Sequence, residues 1–267
     1  MTSSSAETGP QAEVCSERLR VRPARLRVAS WNVQACRRGI EAVADVLAAL
    51  RADLVALQEV ERGTRAAGGV DQAAHLARRG GFPHVLFLPT LARDGGDYGI
   101  ALASRFPLRP LPPLALPVPR GAEPRLLGLA ELDVGVADIA APGPARSRPL
   151  TIAFTHLSHR PDRARARFFQ AQRIVARLGG EERCLLLGDF NGREGTPMHR
   201  TLLTQGFRDL FQEVGEGGGG THAPLGRFLP ALRIDFLFAS RSIGARWARV
   251  IETRASDHHA LVGELAV

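Results

Sequence analysis

Five short segments, each at the end of an apolar run, carry the side chains suited to chemistry. They are Ser30-Trp31-Asn32, Gln58-Glu59, Phe154-Thr155-His156-Leu157, Leu185-Leu186-Leu187-Gly188-Asp189-Phe190-Asn191, and Ser256-Asp257-His258-His259 with Arg233-Ile234-Asp235 upstream. Taken alone, Asn32 reads as a turn-forming asparagine. Glu59 can ligate a hard cation such as Mg²⁺, which takes oxygen donors and few carboxylates; it can equally be a solvated residue at a strand end. A lone histidine such as His156 is more often structural than chemical. Asp189 and Asn191 stand two residues apart, which in extended geometry puts both on one face. Asp189 can then take a proton from water while Asn191 holds that water or a phosphate oxygen; the competing reading is an Asx turn. A carboxylate beside a histidine fixes its tautomer and raises its pKa, so Asp235 or Asp257 can make His258 a histidinium that neutralises a phosphate oxygen. The competing reading is a polar loop before the last strand.

As a set, Asn32, Glu59, His156, Asp189, Asn191, Asp235, Asp257 and His258 supply a metal carboxylate, a general base, a water-holding amide and histidines for phosphate charge. No serine or cysteine nucleophile motif accompanies them, so a covalent intermediate is not required. There is no CxxC or HExxH pattern to support zinc, and no Walker-type glycine loop.

The elements that must position these residues follow from apolar spacing. Strands are expected at 26–31, 53–58, 84–88, 98–104, 126–132, 150–155, 184–187, 233–238, 246–251 and 260–265. Helices are expected at 40–50, 70–79, 160–178 and 197–204, the last with Pro197 in its first turn. Leu108–Pro119 is proline-rich and apolar, an edge or a loop because proline cannot donate to a ladder. Pro142–Pro149 reads as a turn and Gly215–Gly220 as a flexible loop. About ten short strands with a few helices give an α/β or α+β domain over 26–267, after a tail at 1–25 expected to be disordered.

The 267 residues fit one large domain, and 45% hydrophobic residues allow a sizeable core. The net charge of +8 comes entirely from arginine, since the chain has no lysine. Arginine binds phosphate through its planar fork, although a GC-rich genome alone would produce the same bias. Cys15, Cys36 and Cys184 are an odd set without regular spacing, which argues against a disulfide framework and for a reducing compartment. No apolar run reaches 18 residues, and the polar N-terminus lacks a signal-peptide core. A cytoplasmic location is the expectation.

The pieces VASWNV (28–33), LQEV (57–60), YGIALASRFPL (98–108), THLSHR (155–160), LLLGDFNG (185–192), RIDFLFAS (233–240) and SDHH (256–259) resemble, in order, the endonuclease/exonuclease/phosphatase superfamily. The resemblance spans about 90% of the chain. It implies a four-layered sandwich, two packed and mainly antiparallel β-sheets flanked by helices, with the site at one end. It implies Mg²⁺, or Mn²⁺ in its place, held by Glu59 with Asn32 close by and Asp257 as a further ligand. Asp189 would activate or orient the attacking water with help from Asn191. His258, oriented by Asp235, would hold the scissile phosphate, and His156 would stabilise the transition state or protonate the leaving group. Apurinic endonucleases usually have tyrosine in place of His156, which weighs against that branch. Ile100 stands where small bacterial members often have asparagine, and His259-Ala260 where leucine or histidine followed by proline is common. Arg65 reads as a solvated loop arginine or as a contact for substrate phosphate.

The expected partner is a phosphate ester, with nucleic acid, a phospholipid headgroup and a small phosphorylated metabolite as competing classes. No protein partner is inferable. The alternative from another class is a catalytically silent binding module on the same fold.

Overall fold

Strand β1 (Arg25–Asn32) shows how the sequence builds layers. Leu26 and Val28 face one way and Ala29 and Trp31 the other, and all four are fully buried. The same two-sided burial holds for β2 (Leu54–Arg62) and β8 (Cys184–Asp189), whose continuous apolar runs mark strands covered on both faces. The structure, a computed structural model, describes residues 25–132, 149–223 and 231–267. The expected tail and the 142–149 turn therefore lie almost wholly outside the described residues.

Among the described residues, thirteen strands form two sheets. The remaining ones are β3 (His84–Arg93), β4 (Gly96–Ser104), β5 (Leu108–Leu116), β6 (Arg125–Leu132), β7 (Leu150–His156), β9 (Arg208–Asp209), β10 (Gly215–Glu216), β11 (Asp235–Ala239), β12 (Gly244–Ile251) and β13 (Ala260–Ala266). One sheet has the order β10-β12-β13-β1-β2-β4-β3 and the other β5-β6-β7-β8-β11-β9. The pairs β1–β2, β7–β8 and β10–β12 are parallel; the other pairings are antiparallel. Helices α1 (Ile40–Ala49) and α2 (Gln72–Gly80) cover the outer face of the first sheet through Val43, Leu47 and Leu76. Helices α3 (Ala164–Leu178) and α4 (Pro197–Thr204) cover the second through Ile174, Leu178, Met198 and Leu202. Between the sheets lie Leu26, Val28, Leu54, Ile100 and Leu102 against Ile152, Phe154, Leu187 and Leu237. This is the expected four-layered sandwich.

Several boundaries differ from the expectations. The run ending at Gln58 continues to Arg62 through a bulge. The proline-rich stretch is an edge strand, pairing only with β6, and Pro112-Pro113 fall in its register shift between Leu111 and Leu114. The shift leaves both prolines out of the ladder, where their missing N–H donors are not needed. The 160–178 helix starts at Ala164, after a 3-10 turn at 161–163. Gly215-Glu216 pair with β12 instead of lying wholly in a loop, and a short helix α5 (Leu210–Val214), capped by Asp209, precedes them. Cys36 and Cys184 are buried free thiols. Among the described residues no helix is long and apolar enough to cross a membrane.

Candidate active site

Strand register collects the polar residues at one end of the sandwich. In the second sheet His156, Asp189 and Asp235 lie side by side, because His156 pairs with Asp189 and Asp189 with Asp235. In the first sheet Asn32 pairs with Gln58, next to Glu59. The loop from β12 to β13 brings Asp257 and His258 to the same end, where Trp31 Nε1 donates to His258 O at 3.0 Å and Ser256 Oγ to Asn32 O at 2.8 Å.

Asn32 joins the two sheets. Its Nδ2 donates to Glu59 Oε1 and to Asp189 Oδ2, both at 3.0 Å, while its Oδ1 accepts from Gln34 N. His258 Nδ1 lies 2.8 Å from Asp235 Oδ2, and its Nε2 lies 3.8 Å from Asp189 Oδ2. His156 Nε2 is 3.5 Å from the same Asp189 oxygen. Asn32, His156 and His258 thus all approach one carboxylate oxygen, the first two from strands β1 and β7 and the third from the β12–β13 loop.

Two of these side chains are aimed by unusual backbone. Glu59 has φ 57 at the β2 bulge, where the register against β4 shifts between Gln58 and Val60. Bulges re-aim a side chain in this way. Asn191 has φ 49, a left-handed conformation that asparagine tolerates. β8 ends at Asp189, so extended geometry does not carry Asn191 onto the face of Asp189. An Asx turn does: Asn191 N donates to Asp189 Oδ1 at 2.8 Å, and Asn191 Nδ2 donates to Leu157 O at 3.2 Å. The backbone follows the turn reading, which keeps Asn191 beside Asp189 and gives its side-chain amide to the Leu157 carbonyl.

Burial and crowding shape the charges. Burial raises the Asp189 carboxyl well above the ordinary carboxylate range, and Asp235 adds to this against the pull of His258 and Asn32. Burial works against the charged form of His258, but Asp235 and Asp189 overcome it and raise its pKa to about 10. His156 is held well below 6.5 by burial and by the nearby charges of Arg125, His258 and His159. The pocket therefore pairs a charged imidazole with a neutral one.

Asp189, Asp235 and His258 offer ligand-type atoms within 4.8 Å of one another, all on buried residues. Asp235 Oδ1 is buried and has no hydrogen-bond partner among the described residues. Buried polar atoms are rarely left so, and one here matches a group supplied from outside the chain.

Three contributors had no place in the sequence reading. Gln34 Nε2 donates to Asp257 Oδ2 at 2.8 Å. The His222 ring lies 4.4 Å from that of His258, tilted by 34°, and its Nε2 lies 3.9 Å from Asp257 Oδ2. Arg125 is buried, donates to Leu157 O at 3.2 Å and contacts His159 Nδ1 at 3.2 Å. Only Gln34 carried a signal, its place two residues after Asn32. Arg65, by contrast, has a side chain 82% exposed and paired with Asp94.

The sequence model of the Endonuclease/Exonuclease/phosphatase family matches residues 29–258. The chain belongs to this family. None of the curated proteins compared with the chain matches it. Solved structures do. An endonuclease/exonuclease/phosphatase from Beutenbergia cavernae DSM 12333 is 24% identical with a TM-score of 0.71, over 91% of this chain and 72% of that one. A conserved protein from Enterococcus faecalis V583 is 20% identical with a TM-score of 0.72, over 90% and 99%. The Bacteroides thetaiotaomicron VPI-5482 mannosyl-6-phosphatase Bt3783 is 16% identical with a TM-score of 0.68, over 91% and 100%. At these identities the likeness is one of fold. The family match itself runs from β1 to His258, so it encloses every strand end that lines the pocket.

Proposed function

We propose that this member of the endonuclease/exonuclease/phosphatase family hydrolyses phosphate esters by direct attack of water, with a divalent cation, Mg²⁺ or in its place Mn²⁺. The reading rests on one observation: Asn32, His156 and His258 converge on the carboxylate of Asp189, with Glu59 held by the same Asn32 amide. The family is in general one of phosphate-ester hydrolases, and its members are generally dependent on a divalent metal.

Asp189 takes the proton of the attacking water. A carboxyl raised by burial is a better base than an exposed one, because its pKa lies nearer the working pH. Asn191 holds that carboxylate through its backbone N–H. The His258 imidazolium, held by Asp235, meets a phosphoryl oxygen as negative charge builds. His156 is neutral and serves as a hydrogen-bond donor to the leaving oxygen or the transition state.

The donor set fits a hard cation. Glu59 and Asp257 are oxygen donors that are not fully buried, Asn32 ties Glu59 to Asp189, and Gln34 ties Asn32 to Asp257. Glu59, Asp257 and Asn32 would hold the ion, which when bound supplies positive charge to the phosphate oxygens. The Asp189–Asp235–His258 cluster is the tighter group, but its Asp235–His258 contact already occupies one atom of each residue. We assign that cluster to the base and the phosphate clamp.

Hydrolysis of bis-p-nitrophenyl phosphate tests the reading. Activity is expected with Mg²⁺, to vanish with EDTA, and to fall by about 10³-fold in Asp189→Ala, within the range for loss of a general base. A panel of plasmid DNA, sphingomyelin, phosphoinositides and sugar phosphates separates nuclease, lipid phosphodiesterase and small-metabolite phosphatase. Inactivity across the whole panel would favour the silent binding module.

A further inference from the structure

Residues Gln34, Ala35 and Cys36 have φ values of 50, 50 and 54, and none is glycine. Three successive left-handed residues with side chains are rare, and such strain persists only where neighbours hold it. Here the neighbours are identifiable. Gln72 Nε2 donates to Ala35 O at 2.9 Å, while Gln72 Oε1 accepts from Glu61 N at 2.9 Å, so one buried side chain from α2 clamps the turn to β2. Cys36 is buried in the core under α1. Arg38 Nη1 donates to Ser256 O at 2.8 Å and to Arg254 O at 3.3 Å, which clasps the turn to the loop that carries Asp257 and His258.

The turn delivers Gln34. Its backbone N–H donates to Asn32 Oδ1 at 3.0 Å and its side-chain Nε2 to Asp257 Oδ2 at 2.8 Å. Ser256 Oγ also reaches both residues, at 2.8 Å from Asn32 O and 3.3 Å from Asp257 Oδ1, but Gln34 is the one that meets the Asn32 side chain and Asp257 Oδ2. We propose that Gln34 is a positioning residue for the cation: the left-handed turn at 34–36 holds its amide against Asp257 Oδ2 and so fixes the orientation of a carboxylate that would bind the ion. The inference rests on the hydrolase reading above and extends it to a residue outside the ion's own ligands. Gln34 is not a catalytic residue, since it acts through Asn32 and Asp257. Residues that orient metal ligands in this way typically account for about 10- to 100-fold in metal affinity.

The test is calorimetric titration of Mn²⁺ into the metal-free full chain, with no substrate present. Gln34→Met keeps the volume of the side chain and removes the donor. It is expected to weaken binding by about 10- to 100-fold, while the same substitution in an Asp257→Asn background adds little further loss. That non-additivity separates positioning through Asp257 from a general loosening of the fold. Affinity equal to that of the unsubstituted chain overturns the inference, and so does an equal loss in both backgrounds. If the unsubstituted chain binds Mn²⁺ and only the variant result fails, the hydrolase reading stands. If the unsubstituted chain takes up no Mn²⁺, both fall.

Discussion

His258 stands between two carboxylates, with Nδ1 2.8 Å from Asp235 Oδ2 and Nε2 3.8 Å from Asp189 Oδ2. Its pKa, raised to about 10, compares with about 6.5 for a free histidine. A group whose folded pKa is raised stabilises the fold fully below its unfolded pKa, and loses that contribution as pH rises through the folded value. Charge on His258 is also what meets the phosphate. Both arguments place the change in the same window, so kcat/KM is expected to fall as pH approaches 10, together with stability. Asp235→Asn removes the partner that sustains the charge and should move the alkaline limb of the pH–rate profile downward. A limb unchanged by that substitution would detach His258 from the reaction. His156 shows the opposite shift, through burial and the charges of Arg125 and His258, so it contributes no titration in the neutral range.

Register is what sets these residues side by side, and it depends on close approach of the strands. Gly188 pairs with Thr155 in the parallel β7–β8 ladder, one residue before His156 and Asp189. A Cβ at Gly188 would lie 2.2 Å from Thr155 O, and its φ of 156 is one that side chains disfavour. Gly188→Ala is expected to cost about 3 kcal/mol, the upper end for overpacking, and to lower activity beyond the loss of folded protein. Urea unfolding and rates normalised to the folded fraction check this; an unchanged midpoint would mean the strands can part without harm. Most strands and helices were legible in the sequence, because apolar residues at period 2 or 3.6 point to faces that must be buried. Bulges were not legible. Glu59 read as the residue after a strand, whereas it sits in the middle of β2 with a left-handed backbone. For Asn191 the sequence left an extended geometry and an Asx turn open, and the turn is what carries it. The eight residues chosen by type and spacing do meet at one end of the fold. Gln34 and His222 escaped because their roles come from tertiary contacts with Asp257 and His258, which no local pattern encodes.

The chain has a net charge of +8, yet at one end it gathers Glu59, Asp189, Asp235 and Asp257. Those carboxylates are presented by both sheets, so the sandwich holds together what mutual repulsion would separate. The raised pKa of Asp189 records that opposition, with burial first and Asp235 second. An unfolded chain has no such opposition and no such pocket. A cation that binds only the folded state therefore stabilises the whole molecule by RT ln(1 + [L]/Kd), about 2.7 kcal/mol at 100 times its Kd. For a domain of this size each kcal/mol moves Tm by about 2–4 °C. Saturating Mg²⁺ is accordingly expected to raise Tm by about 5–10 °C over EDTA. The shift should disappear when Glu59→Gln and Asp257→Asn are combined, although both substitutions reduce repulsion and should leave the metal-free protein no less stable. Equal Tm with Mg²⁺ and with EDTA in the unsubstituted chain would mean that the acidic end serves something other than a cation, because a ligand that binds only the folded state cannot do so without stabilising it.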